Sequence, residues 1–279
     1  MKKTFLLLLA LSLTILTPFA LQSMEKEQAA IAVLPDEIMV QIFSYLASAS
    51  SLDEAIKNIK AASLVNKEWQ RLLSDPKLMD GIINYLAEHF GAPSLIVAVN
   101  LEMPGALGWL ARYKDREGNT ALMWAAAKGN AKLAKALLDK NVDSNSANVH
   151  GWTPLMVAAQ NEYIDIIHLL LNKGADVNFL SKSGRTALMD AVETGNVAIV
   201  RLLLAKKPDV NIQDKQGFTA LHFAVMIRSE EIIQVLLENG ANPTLANIQG
   251  RTPLMMALAF GDENIAKLIQ NHMKQKTEK

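Results

Sequence analysis

The sequence predicts an all-α protein: an export-type leader, a small three-helix bundle, then an α-solenoid of helix-turn-helix repeats with β-turn tips. Three observations predict the solenoid. Gly118, Gly151, Gly184, Gly217 and Gly250 recur at a fixed step of 33 residues. One phrase returns around them: GNTALMWAA, GWTPLMVAA, GRTALMDAV, GFTALHFAV and GRTPLMMAL. Behind each phrase the apolar residues follow a helical period, as in Leu133, Leu137 and Leu138. A repeat of this length is one supersecondary unit that buries its apolar face only by stacking on its neighbours.

Composition narrows the function. The chain has 279 residues, with 28 Lys plus Arg against 28 Asp plus Glu, so its formal net charge is zero. A general nucleic-acid binder needs a basic excess. There is no cysteine, which excludes disulfides and thiolate metal sites. No Asn-X-Ser/Thr sequon occurs, because Asn242 is followed by Pro243. Half the residues are hydrophobic, enough for a sizeable core.

Residues 1–23, MKKTFLLLLALSLTILTPFALQS, have the layout of a secretory signal peptide. Lys2 and Lys3 make the start basic, Phe5 to Leu16 is apolar, and Pro18, Ala20 and Ser23 precede a cleavage point near residues 20–23. The apolar run is short for a bilayer span. A retained membrane anchor and a buried helix are the alternatives, and translation from Met24 would give a cytosolic protein. Export without cysteine is ordinary for a bacterial protein.

Residues 30–80 read as three short helices. Pro35 suits a first helical turn, and Asp36 and Glu37 suit the positive helix end. Ile38, Ile42 and Leu46 recur every four residues beside Phe43. Ser50 or Ser51 is placed to cap a second helix through Ile56 and Ile59, and Leu64, Val65, Trp69 and Leu72 mark a third. The phrases LPDEI (34–38), IFSYL (42–46), LVNKEW (64–69) and DPKL (75–78) resemble an F-box. Between them, ASASSLDEAIKNIKAAS is longer than that family's usual link. The resemblance implies docking on a Skp-type adaptor of a ubiquitin ligase, through Leu34, Pro35, Ile38, Ile42 and Leu46. The other reading of the same residues is a core that only caps the solenoid.

Residues 81–113 are too apolar for a solvated linker, and AVNLEMPGALGWLARY (98–113) echoes the later repeats weakly. A degenerate capping repeat is expected there, with a bend at Pro104-Gly105. Five full repeats then run over 114–273, and 274–279 reads as a disordered tail.

Within the first repeat, Asp115 and Gly118 form a turn, Thr120 caps a short inner helix, and Gly129 ends it. Glu162 and Arg228 stand where that ending glycine is found elsewhere. Lys207-Pro208-Asp209 replaces Gly-Ala-Asp in the third repeat. The period and phrase together resemble the ankyrin repeat. That resemblance implies a concave groove lined by the turn tips and the exposed side of each inner helix. Carried over position by position, the solvent-facing partner-binding residues are Trp152, Arg185, Phe218, Met226, Ile227, Arg251 and Phe260. Trp124 either joins this row or is buried. Aromatic residues and Met beside Arg are the usual anchors of protein interfaces.

No chemistry is legible. His89, His150, His168, His222 and His272 show no metal-ligand spacing, and no phosphate-cradling loop or nucleophile elbow occurs. His222, in TALHFA, matches an ankyrin position that serves turn hydrogen bonding. The sequence therefore predicts a non-catalytic protein without cofactor, whose groove holds a protein target and binds no nucleic acid. It touches a membrane only through an uncleaved N-terminal segment. The F-box resemblance adds a secreted bacterial protein that presents a target to a host ubiquitin ligase. The alternative is an exported, periplasmic or membrane-anchored scaffold.

Overall fold

The computed structural model describes residues 106–112 and 114–277. The leader (1–23), the bundle (30–80) with Leu34, Pro35, Ile38, Ile42 and Leu46, and most of the 81–113 junction lie outside them. The chain divides between Trp109 and Leu110 into two units, and the repeats lie in the second.

The described residues are helical, with a single isolated bridge between Lys114 and Thr120. A short helix α1 (Ala106–Leu110) precedes five antiparallel hairpins. Their inner helices are α2 (Ala121–Lys128), α4 (Pro154–Gln160), α6 (Ala187–Thr194), α8 (Ala220–Met226) and α10 (Pro253–Ala259). Their outer helices are α3 (Ala131–Asp139), α5 (Ile164–Asn172), α7 (Val197–Leu204), α9 (Glu230–Glu238) and α11 (Glu263–Thr277). Each inner helix packs on the next along the chain, α2 on α4 through to α8 on α10.

Each inner helix starts at a threonine. Thr120, Thr153, Thr186 and Thr252 take extended backbone and accept from the amide three residues on. That bond satisfies one of the orphan donors of the first turn. Pro154 and Pro253 follow at a first-turn position, where proline has no amide to lose. The helices then bury small residues, Ala125 and Ala126, Ala158 and Ala159, at zero exposure, so neighbouring backbones come close. The outer helices contribute the larger side chains: Leu137, Ile167, Leu170, Val200, Leu203, Ile233 and Leu236 are fully buried.

Every inner helix must reverse sharply into its partner, and the reversal demands a left-handed residue. Gly129, Gly195 and Gly261 supply it at φ 69°, 77° and 69°. Glu162 and Arg228 adopt the same conformation, at φ 61° and 57°, despite their side chains. Lys207 does so at φ 54° in the third repeat's exit loop, where Gly174 and Gly240 stand in the second and fourth. The stack thus imposes the conformation on non-glycine residues locally disfavoured for it.

One boundary differs from the sequence expectation. α11 continues to Thr277, through most of the 274–279 segment read as a disordered tail. No glycine or proline follows Asn271 to stop it.

Candidate protein-binding groove

The groove is built from the turn that precedes each inner helix. Its first residue is Asp115, Asn148, Ser181, Asp214 or Asn247, and its fourth is the periodic glycine. The glycine amide donates to the first residue's carbonyl, at 2.8–2.9 Å in all five turns. The side chain of the first residue closes the loop from within. Asn148 Oδ1 accepts from the amides of His150 and Trp152, and Asp214 Oδ1 from those of Gln216 and Phe218. Asp115 and Asn247 repeat the arrangement, while Ser181 Oγ accepts from the Arg185 amide. This polar position recurs at the same step as the glycine. It was open to sequence reading at all five turns, but only Asp115 attracts notice there.

The tips are joined to one another. The amides of Val149, Lys182, Lys215 and Ile248 donate to the carbonyls of Glu117, His150, Ser183 and Gln216 one repeat earlier, at 2.8–3.0 Å. A second set of ties runs behind them. Asn145, Asn178 and Asn211 accept through Oδ1 from the amides of Asp176, Asp209 and Asn242 at 2.7–2.9 Å. These asparagines also keep the repeat period, and composition alone does not single them out. Together the ties fix neighbouring tips in one row.

The seven predicted groove residues divide into two groups. Met226 (49% exposed), Phe260 (43%) and Arg251 face solvent. Trp152, Arg185, Phe218 and Ile227 are half-buried where the sequence placed them in solvent. The reason is visible for three of them. Phe218 lies 5.5 Å from the His222 ring, edge-on, and 5.8 Å from Phe223. Ile227 leans toward Gly195 of the preceding repeat. The Arg185 guanidinium pairs with Asp190 at 2.9 Å and with Glu193, and lies 4.5 Å above the Phe223 ring of the next repeat. Trp124 is half-buried too, and its Nε1 donates to Asp115 Oδ2 at 3.2 Å.

Two ionisable groups beneath this surface are perturbed. Asp190 is 3% exposed, and burial pushes its carboxyl up to about 6 against the pull of Arg185. Its Oδ2 finds no hydrogen-bond donor. His222 is fully buried. Its Nδ1 takes the Thr219 amide at 3.0 Å, so that nitrogen carries no proton. Nε2 therefore holds the hydrogen and donates to the Arg251 carbonyl at 3.1 Å. Burial holds this imidazole below its ordinary value, with the Arg251 carbonyl pulling the other way. His222 is thus a structural link between the fourth and fifth repeats.

Exposed Lys182, Lys215 and Arg251 enter none of the ion pairs among the described residues. With Val149 (45% exposed) and Ile248 (74%) they make the outer edge of the row both basic and apolar. Among the described residues no cluster of His, Asp and Glu is placed to hold a metal ion, and no helix is long and apolar enough to cross a membrane.

A family model described as Ankyrin repeats (3 copies) matches the chain over residues 82–181, 150–214, 171–247 and 188–279. A second, described as F-box-like, matches residues 31–82. No curated protein matches the chain.

Proposed function

The chain belongs to the ankyrin repeat family, and from that premise we propose that it is a non-catalytic adaptor that brings a protein target to a ubiquitin ligase. Ankyrin repeats together with an F-box-like segment support a protein–protein interaction role. The observation that carries the finer reading is the row of tied tips. It sets Ile248 in solvent in line with Lys182 and Lys215, with Arg251 nearby, on turns held by hydrogen bonds, while Met226 and Phe260 are exposed at the far ends of their inner helices. Rigid apolar anchors flanked by unpaired cations lose little entropy on binding and select a partner by charge. The groove holds the target, and the F-box-like segment docks a Skp-type adaptor through Leu34, Pro35, Ile38, Ile42 and Leu46. Export through the 1–23 segment from a bacterium delivers the protein to a host cell, where such ligases exist.

The test is calorimetric titration of a eukaryotic Skp adaptor into residues 24–279. The reading expects binding that disappears in a Pro35→Ala, Ile38→Asp double variant and persists in a Met226→Asp, Phe260→Asp variant. Absence of binding by the folded wild type removes the ligase from the account and leaves a scaffold with one groove.

A further inference from the structure

The charges around Arg185 do not balance. Asp190 stands on α6 with its side chain 2% exposed, and Glu193 follows one turn later at 54%. One guanidinium serves both. Arg185 brings Nε and Nη2 to the same oxygen, Asp190 Oδ1, at 2.9 Å, and Nη2 also to Glu193. Asp190 Oδ2 is buried and receives no donor. Among the described residues only Arg185 and Glu193 act on its charge. α4, packed on one side of α6, carries no titratable residue. α8, on the other, offers His222, which burial keeps from charging and whose two ring nitrogens are engaged. Arg201 of α7 is exposed and paired with Glu231. At the flanking tips Lys182 and Lys215 are exposed, and Asp214 accepts two amides of its own turn.

Two carboxylates thus share one cation, and the buried one keeps an oxygen without a donor. Burying a carboxylate in that state costs far more than burying a neutral carboxyl. The site therefore draws a proton to Asp190, and burial lifts that carboxyl to about 6. What the proton changes is the hold on Arg185. The backbone of Arg185 stays fixed, because Ser181 Oγ accepts its amide and the Ser181 amide donates to its carbonyl. Its side chain depends on Asp190, on Glu193 and on the Phe223 ring of the next repeat, 4.5 Å away. A hydrogen bond to a charged group is roughly twice as strong as one between neutral groups. With Asp190 neutral, the remaining partner is Glu193, a pair too exposed to fix a long side chain.

We propose that Asp190 is a proton-operated latch on Arg185. The ionised carboxylate holds the guanidinium down between the third and fourth repeats, and protonation releases the side chain into the groove. There the cluster loses its excess negative charge, and the freed cation joins Lys182, Lys215 and Arg251. The groove then takes an acidic partner more readily in mildly acidic surroundings than in neutral ones. That last step rests on the reading of this surface as a target-binding groove; the latch itself does not.

NMR of the isotope-labelled protein reads the latch without any partner. By its relaxation, the Arg185 Nε–H is expected to be rigid at pH 7.5 and mobile at pH 5, changing at the midpoint where the Asp190 carboxyl carbon titrates. Glu193→Gln, an exposed change, removes the second negative charge and moves both midpoints to lower pH. Asp190→Asn leaves Arg185 mobile at every pH. An Arg185 side chain equally rigid at both pH values overturns the latch, as does an Asp190 midpoint that Glu193→Gln leaves in place. An oligo-aspartate peptide at pH 7.5 then probes the groove. Asp190→Asn is expected to bind it more tightly than the wild type, by up to about fivefold, the worth of one exposed ion pair. No gain there, with Arg185 released, overturns the groove step while the latch stands.

Discussion

A Cβ added to Gly151 would lie 2.6 Å from the backbone nitrogen of Lys182, in the next repeat. The same holds at Gly217, where the nearest atom is Asn247 Cα at 2.7 Å. The periodic glycine thus answers two demands, a positive φ within its own turn and the close approach of the following tip. Gly250 has φ 72° and no atom within 4 Å of such a Cβ, since no described residue packs against its turn.

Gly151→Ala is therefore expected to be much more damaging than Gly250→Ala. The last position suffers only the left-handed cost, about 1–2 kcal/mol. At Gly151 the backbone clash adds to it and strains the Lys182 amide bond to the His150 carbonyl. Urea denaturation of the two variants measures the difference, and equal losses would contradict it.

Lys207 shows the reverse case. It is exposed, at φ 54°, where two other repeats have glycine. Lys207→Gly is expected to stabilise the protein by up to about 1 kcal/mol, the relief of left-handed strain less the added freedom of glycine in the unfolded chain. Arg228→Gly gains less, because its guanidinium lies 5.9 Å above the Phe260 ring. Thermal unfolding of both variants orders them.

Arg185 is a structural ion-pair partner as much as a groove residue. Arg185→Ala leaves Asp190 buried and uncompensated and is expected to cost about 3 kcal/mol or more. Arg201→Ala breaks an exposed pair with Glu231 and should cost under about 1 kcal/mol. Chemical denaturation at neutral pH distinguishes the two, and similar small losses would contradict the buried assignment.

Acid acts on two buried groups with opposite sign. His222 sits below its ordinary 6.5, so as pH falls through that value the unfolded chain binds a proton the folded chain resists, and stability falls. Asp190 sits at about 6 against an ordinary 3.8. The folded chain protonates first there, and stability rises as pH falls from 6 toward 3.8. Unfolding free energies measured from pH 7.5 to 5 should fall more steeply in Asp190→Asn than in the wild type. In His222→Gln the fall should flatten or reverse.

How much of this was legible varied with the physics involved. The helices, their threonine caps and the reversal at Gly129 follow from local rules, and the 33-residue step made the caps visible five times and the reversal glycine three times. Glu162, Arg228 and Lys207 were recognisable as departures from glycine. That the chain nonetheless keeps φ near 60° at each is set by stacking on the neighbours, which no local rule contains. The same limit explains Arg185, Phe218 and Ile227. Their place beside the glycine or at the inner-helix end marks them as groove positions, but Arg185 is drawn inward by Asp190 and Phe223, and Phe218 by His222 and Phe223. The Asn145, Asn178 and Asn211 ties were periodic but unremarkable residues in loops. Their partners one repeat away give them meaning.

The central claim is that the tip row and inner helices, not the outer helices, hold a protein. A photo-crosslinking amino acid placed singly at Met226 or Ile248 on the groove side, and at His168 or Arg201 on the outer helices, tests it in a eukaryotic cell extract. The account predicts one discrete crosslinked species from the groove positions and none from the outer ones. Equal crosslinking from both faces, or crosslinking from His168 and Arg201 alone, would contradict it.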